Sequence, residues 1–374
     1  MQMQSRCIIR PFNYIMFERK LTHLLRCCKL LPNYRTGLMY YRTLRFQNLL
    51  RLAYEQLCEH ALLYKPSKQG FPVKHYISCI TIFMVLFVYL NCSALTLSDK
   101  KGRQISSSKP FTRIISLYGA HTENLYHLGL ENNIIGVSIN DTFPSQVAEK
   151  PKFSYHDDPE KFLAFMPDLV LVRPMIDNGY PKLIARLEKS GITVVSLQPS
   201  GIGEMYDYWL KLGMLTGREQ QAKKMIQNFK KKIALVKTKT KGIKIKKKVY
   251  FQAIHTRMKT FTKGAMPIFA LETAGGINVA WDAKASRNTN IAIYGKEQIL
   301  AKASQIDVFL AQRGVMNSVS IELIKKEPGF GVIKAIKNNQ IYLIDENIVS
   351  RPVPRLYKGI ISIGTLLYPD IFNQ

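Results

Sequence analysis

The chain has 374 residues and a formal net charge of +28, with 54 Lys and Arg against 26 Asp and Glu. Hydrophobic residues make up 47% of it and charged residues 21%, a balance that excludes a largely disordered chain and allows a large core. The positive charge favours nucleic acid, an anionic surface or an anionic ligand as a partner.

All six cysteines lie at or before Cys92, and the last two, Cys79 and Cys92, lie within and just after an apolar segment without charges, residues 77–90. Its 14 residues are too few for an ordinary bilayer span but typical of a secretion signal. We therefore predict a signal peptide over residues 73–94 and a periplasmic protein. The alternatives are an uncleaved membrane anchor over 77–94, a buried core helix, and lipid attachment at Cys92.

Residues 1–72 precede this segment and carry 12 Lys and Arg, three Glu and no Asp. Because signal peptides begin at chain starts, we predict that the natural start lies near Val73 and that the reading frame opens too early. Residues 1–72 would then be a leader that is not translated, or is disordered, and has no part in the function. A genuine basic cytosolic extension is the alternative. Residues 95–111 are predicted to be a linker.

From residue 112 onward, strand and helix patterns alternate, which predicts an α/β lobe with a parallel sheet over residues 112–215. The predicted strands are 113–117, 134–137, 167–172 and 192–196. The predicted helices are 123–128, a helix that begins at Asp158, and 181–190. Asp158 followed by Pro159 favours a helix start, and Gly129 and Gly191 favour helix ends.

The alternation stops between residues 202 and 239, where the pattern is helical throughout. Apolar residues recur there at spacings of three and four, which predicts a long helix from Arg218 to about Lys237 that would run about 30 Å. Strands at 248–252, 306–310 and 340–344 and helices near 268–274, 296–302 and 356–367 follow. We predict a first lobe (112–215), a bridging helix (216–240) and a second lobe (241–374).

Lysines are concentrated between residues 223 and 248, on the predicted bridging helix and the segment after it. A solvated helix face is the simplest interpretation of such a run. No zinc-ligand spacing, recognition-helix signature or aromatic stacking motif accompanies the lysines, so we predict no nucleic-acid partner.

Five segments that occur in order resemble the substrate-binding proteins of the iron-chelate, haem and cobalamin ABC importers. They are 166–172 (MPDLVLV), 212–218 (LGMLTGR), 274–280 (AGGINVA), 336–345 (IKNNQIYLID) and 351–355 (RPVPR). The resemblance covers about residues 112–372 and implies an α/β fold of two Rossmann-like lobes with parallel sheets, joined by one long rigid α-helix. The ligand would lie in the cleft between the lobes.

The resemblance implies capture and delivery of a small-molecule metal chelate: a ferric siderophore first, with haem or cobalamin as alternatives. The implied partners are an ABC permease and its ATPase, and we expect a monomer with no intrinsic cofactor, no resident metal and only a small hinge motion between lobes. No Gly-x-Ser-x-Gly, Walker loop or His-Glu-x-x-His motif is present, so we predict that the protein is not an enzyme. The rivals are a metal-chelatase-like enzyme that uses His121, His156 or His255, and a membrane-tethered sensor domain.

Arginines are the first ligand candidates, because a guanidinium stays charged and donates in a planar fork to carboxylate or catecholate oxygens. Arg351 and Arg355 lie four apart in a proline-stiffened segment, and Arg173 ends a predicted strand, where parallel sheets place ligand groups. Pairing with acidic residues is the alternative for the first two.

Aromatic residues and histidines near other strand ends complete the predicted ligand site. They are Tyr118, His121, Tyr155, His156, His255 and Trp281. His121 is a candidate for coordinating iron or cobalt, or for a backbone bond at a helix start, and Trp281 is a candidate for stacking or for packing.

Two glutamates have a different predicted role. By resemblance, Glu160 and Glu297 are the surface carboxylates of the two lobes that meet arginines of the permease. Both also lie at predicted helix starts, where a carboxylate complements the helix dipole. The two interpretations are compatible.

Overall fold

The computed structural model describes residues 95–285 and 289–373. The predicted leader 1–72, the signal peptide 73–94 with its start near Val73, Cys92 and the anchor 77–94 lie outside the described residues. No helix among the described residues is long and apolar enough to cross a membrane.

Fourteen strands and thirteen helices form the described part of the chain. The strands are β1 (Leu95–Ser98), β2 (Gln104–Ser107), β3 (Ile114–Ser116), β4 (Ile134–Ser138), β5 (Lys152–Phe153), β6 (Leu169–Val172), β7 (Thr193–Ser196), β8 (Lys248–Ile254), β9 (Lys259–Phe261), β10 (Ile277–Asn278), β11 (Lys284–Ala285), β12 (Ile291–Ile293), β13 (Val308–Arg313) and β14 (Ile341–Asp345). The helices are α1 (Gly119–His127), α2 (Pro159–Ala164), α3 (Pro174–Gly179), α4 (Pro181–Lys189), α5 (Ile202–Thr216), α6 (Glu219–Lys241), α7 (Met266–Thr273), α8 (Lys296–Ala301), α9 (Ile321–Lys326), α10 (Lys334–Lys337), α11 (Glu346–Val349), α12 (Leu356–Leu367) and α13 (Pro369–Phe372).

The first lobe is built on a five-stranded sheet in the order β5-β4-β3-β6-β7. All four pairings in it are parallel, as the sequence predicts. Its interior strand β6 has the sequence LVLV and is buried along its whole length, because helices cover both faces of a parallel sheet. The carboxyl ends of these strands therefore lie along one edge of the lobe.

The predicted linker, residues 95–111, is instead an antiparallel hairpin. Strand β1 pairs with β2 from Leu95 opposite Ser107 to Ser98 opposite Gln104. Leu97, Ile105 and Phe111 are buried in the same core as the first lobe. The side chain of Arg103 lies 2.7 Å from Asp177 of α3 and so fixes the hairpin to the lobe. The alternation of Leu97 and Ile105 with polar neighbours is a strand pattern, which the charges around the turn obscure.

The second lobe contains a seven-stranded sheet in the order β11-β12-β9-β8-β13-β14, with β10 pairing beside β8. The pairings β8–β13, β13–β14 and β8–β10 are parallel, whereas β8–β9, β9–β12 and β12–β11 are antiparallel. The prediction of a wholly parallel second sheet is thus wrong for its outer half. The reason is local: β8 turns back into β9 through a short 3₁₀ turn, His255–Arg257, and no helix crosses over between them.

A long helix joins the two lobes, as predicted. Helix α5 ends at Gly217, whose φ of +66° is a left-handed conformation that favours glycine, and α6 follows. Helix α6 has 23 residues, which corresponds to about 35 Å, and it ends four residues beyond the predicted Lys237. Its buried face is Ala222, Met225, Ile226, Phe229, Ile233, Val236 and Thr240. One core cluster includes this face together with residues of both lobes.

Candidate ligand-binding site

Polar and aromatic side chains follow four strands of the first sheet at the point where each strand ends. Tyr118 comes after β3, Asp141 after β4, Tyr155 after β5 and Arg173 directly after β6. Because these strands are parallel, the residues that follow them gather at one edge of the sheet, where open α/β sheets bind ligands.

Two of these residues form a stacked pair. The guanidinium carbon of Arg173 lies 5.2 Å from the centre of the Tyr118 ring. Helix α1 begins at Gly119, four residues before the predicted start at Glu123, so Tyr118 is the residue that precedes the helix. The Arg173 Nε is buried and makes no hydrogen bond to any described residue. This donor therefore has no acceptor of its own among the described residues.

Arg351 of the second lobe reaches the same place. A Cβ at Gly119 would lie 2.5 Å from Arg351 Nη1 and 2.9 Å from Asp141 Oδ1, so both side chains lie directly against this glycine and would have to shift for a larger residue. Arg351 Nη1 is buried and, within the described residues, has no hydrogen-bond acceptor. An unpaired buried donor is costly to a fold, so two of them at one edge indicate a surface shaped for an acceptor that the fold does not supply.

The carboxyl groups near the two arginines compete only weakly with an anionic ligand for the guanidinium groups. Burial raises the pKa of Asp141 to about 6, against the opposing effects of the Thr122 hydrogen bond and the Arg351 charge. The Thr122 hydroxyl donates to Asp141 Oδ2 over 2.5 Å. Glu346, which begins α11 in the second lobe, accepts instead from the backbone N–H groups of Val315 and Met316 at 2.9 and 3.2 Å.

Burial also keeps Tyr118 in its neutral form. It raises the pKa of the Tyr118 hydroxyl, while the charges of Arg173 and Arg351 act in the opposite direction. A neutral phenol is a hydrogen-bond donor, so Tyr118 adds a third donor beside the two guanidinium groups.

Large apolar side chains are exposed at the same strand ends. Ile139 follows β4 and is 55% exposed, and Met175, near the start of α3, is 43% exposed. In the second lobe, Val315 and Met316 follow β13 and are 89% and 49% exposed. A cavity of about 390 Å³ borders this loop at Arg313 and Gly314. Apolar groups around a few convergent cations suit a bulky organic anion.

Tyr155 and His156, both predicted ligand residues, belong to an aromatic group beside this edge. The ring of Tyr155 lies 4.6 Å from that of His156 and 4.7 Å from that of Tyr180. The Tyr180 hydroxyl lies 3.2 Å from His156 Nε2. His156 is exposed and Tyr155 is half-buried, so both can present a ring surface to a ligand.

His121, predicted as a ligand residue, lies in the core. It is fully buried; its Nε2 lies 3.0 Å from the Val172 carbonyl and its Nδ1 lies 2.7 Å from the Tyr208 hydroxyl. The carbonyl accepts from Nε2–H, so Tyr208 donates to Nδ1, and neither nitrogen is left for a metal. Burial lowers the pKa of His121 to about 4. The earlier start of α1 explains the difference, because it turns position 121 inward.

Arg355, predicted as a ligand residue, joins the two lobes instead. Its Nε and Nη2 donate to the carboxylate of Glu123 at 2.9 and 2.7 Å. The Glu123 side chain is fully buried and that of Arg355 is 12% exposed. The guanidinium also lies 3.8 Å from the centre of the Phe143 ring. Pairing with an acidic residue, the alternative left open by the sequence, is what the structure contains.

His255 is also largely buried, at the end of β8. Its backbone N–H donates to Asn317 Oδ1 at 2.9 Å, its Nδ1 lies 3.1 Å from Gln252 Oε1, and its Nε2 lies 3.5 Å from Glu327. Burial lowers the pKa of His255, while Glu327 opposes this effect. These contacts give the His255 ring a structural role within the second lobe.

Trp281 is 72% exposed, and Lys302 Nζ lies 5.6 Å from its ring. No ring contact or hydrogen bond within 95–285 and 289–373 connects it with Arg173 or Arg351. Its role in ligand binding stays a prediction.

The two predicted docking glutamates are both exposed on helix starts. Asp158 caps α2 by accepting from the Glu160 N–H at 2.8 Å, as predicted. Glu160 pairs with Arg186 at 2.6 Å, whereas Glu297, in the first turn of α8, forms no salt bridge with a described residue. No group of three or more His, Cys, Asp or Glu residues in the described part of the chain is placed to hold a metal ion.

Sequence reasoning missed Asp141, Glu346 and the pairing of Glu123 with Arg355. The first two follow β4 and β14, so the same strand-end rule that selected Arg173 could have found them. Glu123 gave no such signal, because its partner lies 232 residues away.

Comparison with known proteins gives consistent matches over the two lobes. A model of the periplasmic binding protein family matches residues 114–348. An uncharacterized ABC transporter substrate-binding lipoprotein of Bacillus subtilis, YvrC, is 26% identical over 283 residues, 75% of this chain and 87% of that protein. A vitamin B12-binding protein of Vibrio cholerae is 24% identical over 264 residues, 70% of this chain and 91% of that protein.

Among solved structures, a possible iron-binding (periplasmic solute-binding) protein from Staphylococcus epidermidis is similar over all of its length and 70% of this chain. The TM-score is 0.61 and the sequence identity is 30%.

Proposed function

Because the chain belongs to the periplasmic binding protein family, we propose that it captures a metal chelate outside the cytoplasm and delivers it to an ABC permease and its ATPase. The relatives are substrate-binding proteins of transport systems, and this supports a binding role without catalysis. The ligand that we propose first is an anionic ferric siderophore, with haem and cobalamin as alternatives.

One observation carries the proposal of an anionic ligand. Arg173 of the first lobe and Arg351 of the second meet beside Tyr118, and each has a buried nitrogen without a partner among the described residues. Guanidinium groups bind carboxylate and catecholate oxygens in a planar, charge-assisted geometry. The exposed Ile139, Met175, Val315 and Met316 would cover the apolar shell of such a chelate.

Interlobe contacts support only a small movement on binding. The lobes share the Arg355–Glu123 pair, a hydrogen bond from Trp209 Nε1 to the Pro352 carbonyl at 2.9 Å, and one from the Ile202 N–H to the Gly264 carbonyl at 3.2 Å. A continuous helix with one buried face links them as well. We propose that ligand capture closes the cleft slightly and that the Glu160 and Glu297 surfaces then dock on the permease.

The metal-chelatase alternative loses support from the histidines. Of its three predicted groups, His121 and His255 are buried and bonded within the fold, so neither has a free nitrogen at the cleft for acid–base work. The tethered-sensor alternative depends on residues 77–94, which are not described.

A ligand panel tests the proposal. The protein would be titrated with a ferric catecholate, a ferric hydroxamate, haemin and cyanocobalamin, and quenching of its two tryptophans would be recorded. We expect saturable binding of one ferric chelate, a raised melting temperature and no chemical change in the ligand. Binding of none of the four, or turnover of any, would overturn the proposal.

A further inference from the structure

A surface of exposed lysines covers the outer side of α6 and the segment that leads to β8. All twelve lysines between residues 223 and 248 are exposed, and no acidic residue interrupts them from 220 to 248. The members of this lysine surface are Lys223, Lys224, Lys230, Lys231, Lys232, Lys237, Lys239, Lys241, Lys244, Lys246, Lys247 and Lys248.

Little in the described chain neutralises these charges. Lys239 aside, none of the twelve forms a salt bridge with another described residue. Lys230 lies 4.8 Å from the centre of the Tyr206 ring and Lys232 lies 5.2 Å from that of Tyr357, but these aromatic contacts leave the positive charge in place. The lysine surface therefore has a strongly positive potential.

Two large apolar side chains are exposed within the lysine surface. Leu235 on α6 is 66% exposed, and Ile245, between Lys244 and Lys246, is 84% exposed. A solvated helix face has no need of them. Lysines around isolated aliphatic side chains are typical of a surface that lies on a bilayer, where the aliphatic groups enter the headgroup region and the ammonium groups meet phosphates.

The part of the lysine surface that precedes β8 lies away from the candidate ligand site. Lys244, Lys246, Lys247 and Lys248 are at the amino end of β8, whereas the cleft is at the carboxyl ends of the strands, before His255. Seven residues of strand separate the two edges by about 20 Å. Glu297 is also at the cleft edge. Strand β12, which precedes it, is antiparallel to β9, and β9 is antiparallel to β8, so β12 and β8 run in the same direction and end at the same edge. A partner on the lysine surface would leave the cleft open.

We propose that the lysine surface binds the anionic phospholipid headgroups of a membrane and holds the protein with its cleft directed away from the bilayer. This orientation differs from permease docking, in which the Glu160 and Glu297 edge would face the membrane. The proposal extends the proposed function with a resting position at the membrane and depends on neither the identity of the chelate nor the docking glutamates. Nucleic acid fits less well, because Leu235 and Ile245 offer no ring on which bases stack.

Vesicle sedimentation tests the proposal. Protein isolated from the cell envelope, with the same N-terminus in every variant by mass spectrometry, would be mixed with phosphatidylcholine vesicles with or without about a quarter phosphatidylglycerol. We expect binding that requires phosphatidylglycerol and falls as salt rises from about 50 to about 300 mM. The triple variant Lys244→Glu/Lys246→Glu/Lys247→Glu should lose at least about tenfold in apparent affinity.

A matched control separates the effect of the lysine surface on vesicle binding from the effect of the protein's net charge. Lys325→Glu/Lys326→Glu/Lys337→Glu changes the charge equally at exposed positions outside it, and we expect a loss of less than about threefold. Equal losses in the two triple variants, binding indifferent to phosphatidylglycerol, or tighter binding to duplex DNA than to these vesicles at the same salt would each overturn the proposal.

A second variant keeps the test independent of charge reversal. Leu235→Ser/Ile245→Ser preserves every charge, and we expect it to weaken vesicle binding most at the higher salt, where electrostatic attraction is screened. Unchanged binding would contradict insertion of these side chains. Chelate binding, measured on the same variants by tryptophan quenching, should be unaltered, so failure of the membrane proposal and failure of the proposed function are distinguishable.

Discussion

Two groups of charged and aromatic side chains lie near α1, one at the cleft edge and one in the core, and they differ in how completely their polar atoms are hydrogen-bonded. At the cleft edge, Arg173 Nε and Arg351 Nη1 have no hydrogen-bond partner among the described residues. In the core behind it, both ring nitrogens of His121 are bonded, and Arg355 holds Glu123 with two hydrogen bonds. The same residue types thus support the fold in one place and lack an internal partner in the other.

Arg351 and Arg355 make this comparison most directly, since only a short proline-containing segment separates them. The carbonyl of Pro352 between them accepts from Asn124 at 3.1 Å and from Trp209 at 2.9 Å, which fixes the segment against the first lobe. One arginine then points to a buried carboxylate and the other to the cleft edge. What distinguishes the proposed ligand residue Arg351 from Arg355 is the absence of an internal partner, and sequence position alone does not reveal it.

Removing Arg355 should have the largest effect on the paired group. Arg355→Met would leave the Glu123 carboxylate buried without its partner, and we expect unfolding free energy to fall by about 3–5 kcal/mol in urea titrations. The double variant Glu123→Leu/Arg355→Met removes both charges and should recover most of this loss. A single variant as stable as the wild type would contradict an interlobe role for this pair.

The pH dependence of the unfolding free energy should distinguish the buried His121 from Asp141 at the cleft edge. His121 has a folded pKa of about 4, below its ordinary value, so its contribution to stability is complete above pH 6.5 and is lost as the pH falls to 4. Asp141 has a folded pKa of about 6, above its ordinary value, so its ionisation costs stability above pH 6 and this cost disappears as the pH falls. The two effects oppose each other in the wild type.

Asp141→Asn should therefore uncover the contribution of His121. Between pH 6.5 and 4 we expect the unfolding free energy of this variant to fall by about 3 kcal/mol more than that of the wild type. Denaturant titrations at several pH values measure the difference, with exposed Asp370→Asn as the control. Parallel profiles for Asp141→Asn and the wild type would contradict the burial effect on Asp141.

The two glutamates that we propose as docking residues should differ by a smaller amount. In the proposed docking, Glu160 would have to leave Arg186 before it meets a permease arginine, whereas Glu297 has no described salt bridge to break. An exposed pair of this kind is worth about 1 kcal/mol or less, so Arg186→Gln should strengthen coupling to the permease by at most about fivefold. Stimulation of the transporter ATPase in proteoliposomes measures it, with Lys182→Gln on the same helix as the control. Weaker coupling in Arg186→Gln would show that Arg186, rather than Glu160, meets the permease.

Most of the fold follows from local patterns in the sequence. The buried LVLV strand, the cap at Asp158 and the apolar stripe of α6 each have one stable solution, and the structure contains all three. The antiparallel half of the second sheet was not predictable in this way, because the short strands β9, β11 and β12 have no strong pattern of their own. Their pairing depends on long-range contacts.

The candidate site was predictable only where the position of a residue after a strand decides where it lies. Arg173 and Tyr118 follow strands of a parallel sheet, and that rule places them at the cleft edge. His121 and Arg355 are also residue types that commonly bind ligands. Their hydrogen bonds to Tyr208 and Glu123, however, hold them inside the fold. Whether a charged or aromatic residue is left unpaired is a property of the whole fold.

Calorimetric titration of the chelate selected by the ligand panel into Arg173→Gln and Arg351→Gln tests the central claim most directly. Each variant removes a charge-assisted donor worth about 1.5–3 kcal/mol, so we expect affinity to fall about ten- to hundredfold. Stability should change by less than about 1 kcal/mol, because neither lost nitrogen has an internal partner. The exposed variant Lys337→Gln should bind like the wild type. Undiminished affinity in both arginine variants would contradict the claim that these two unpaired guanidinium groups hold the ligand.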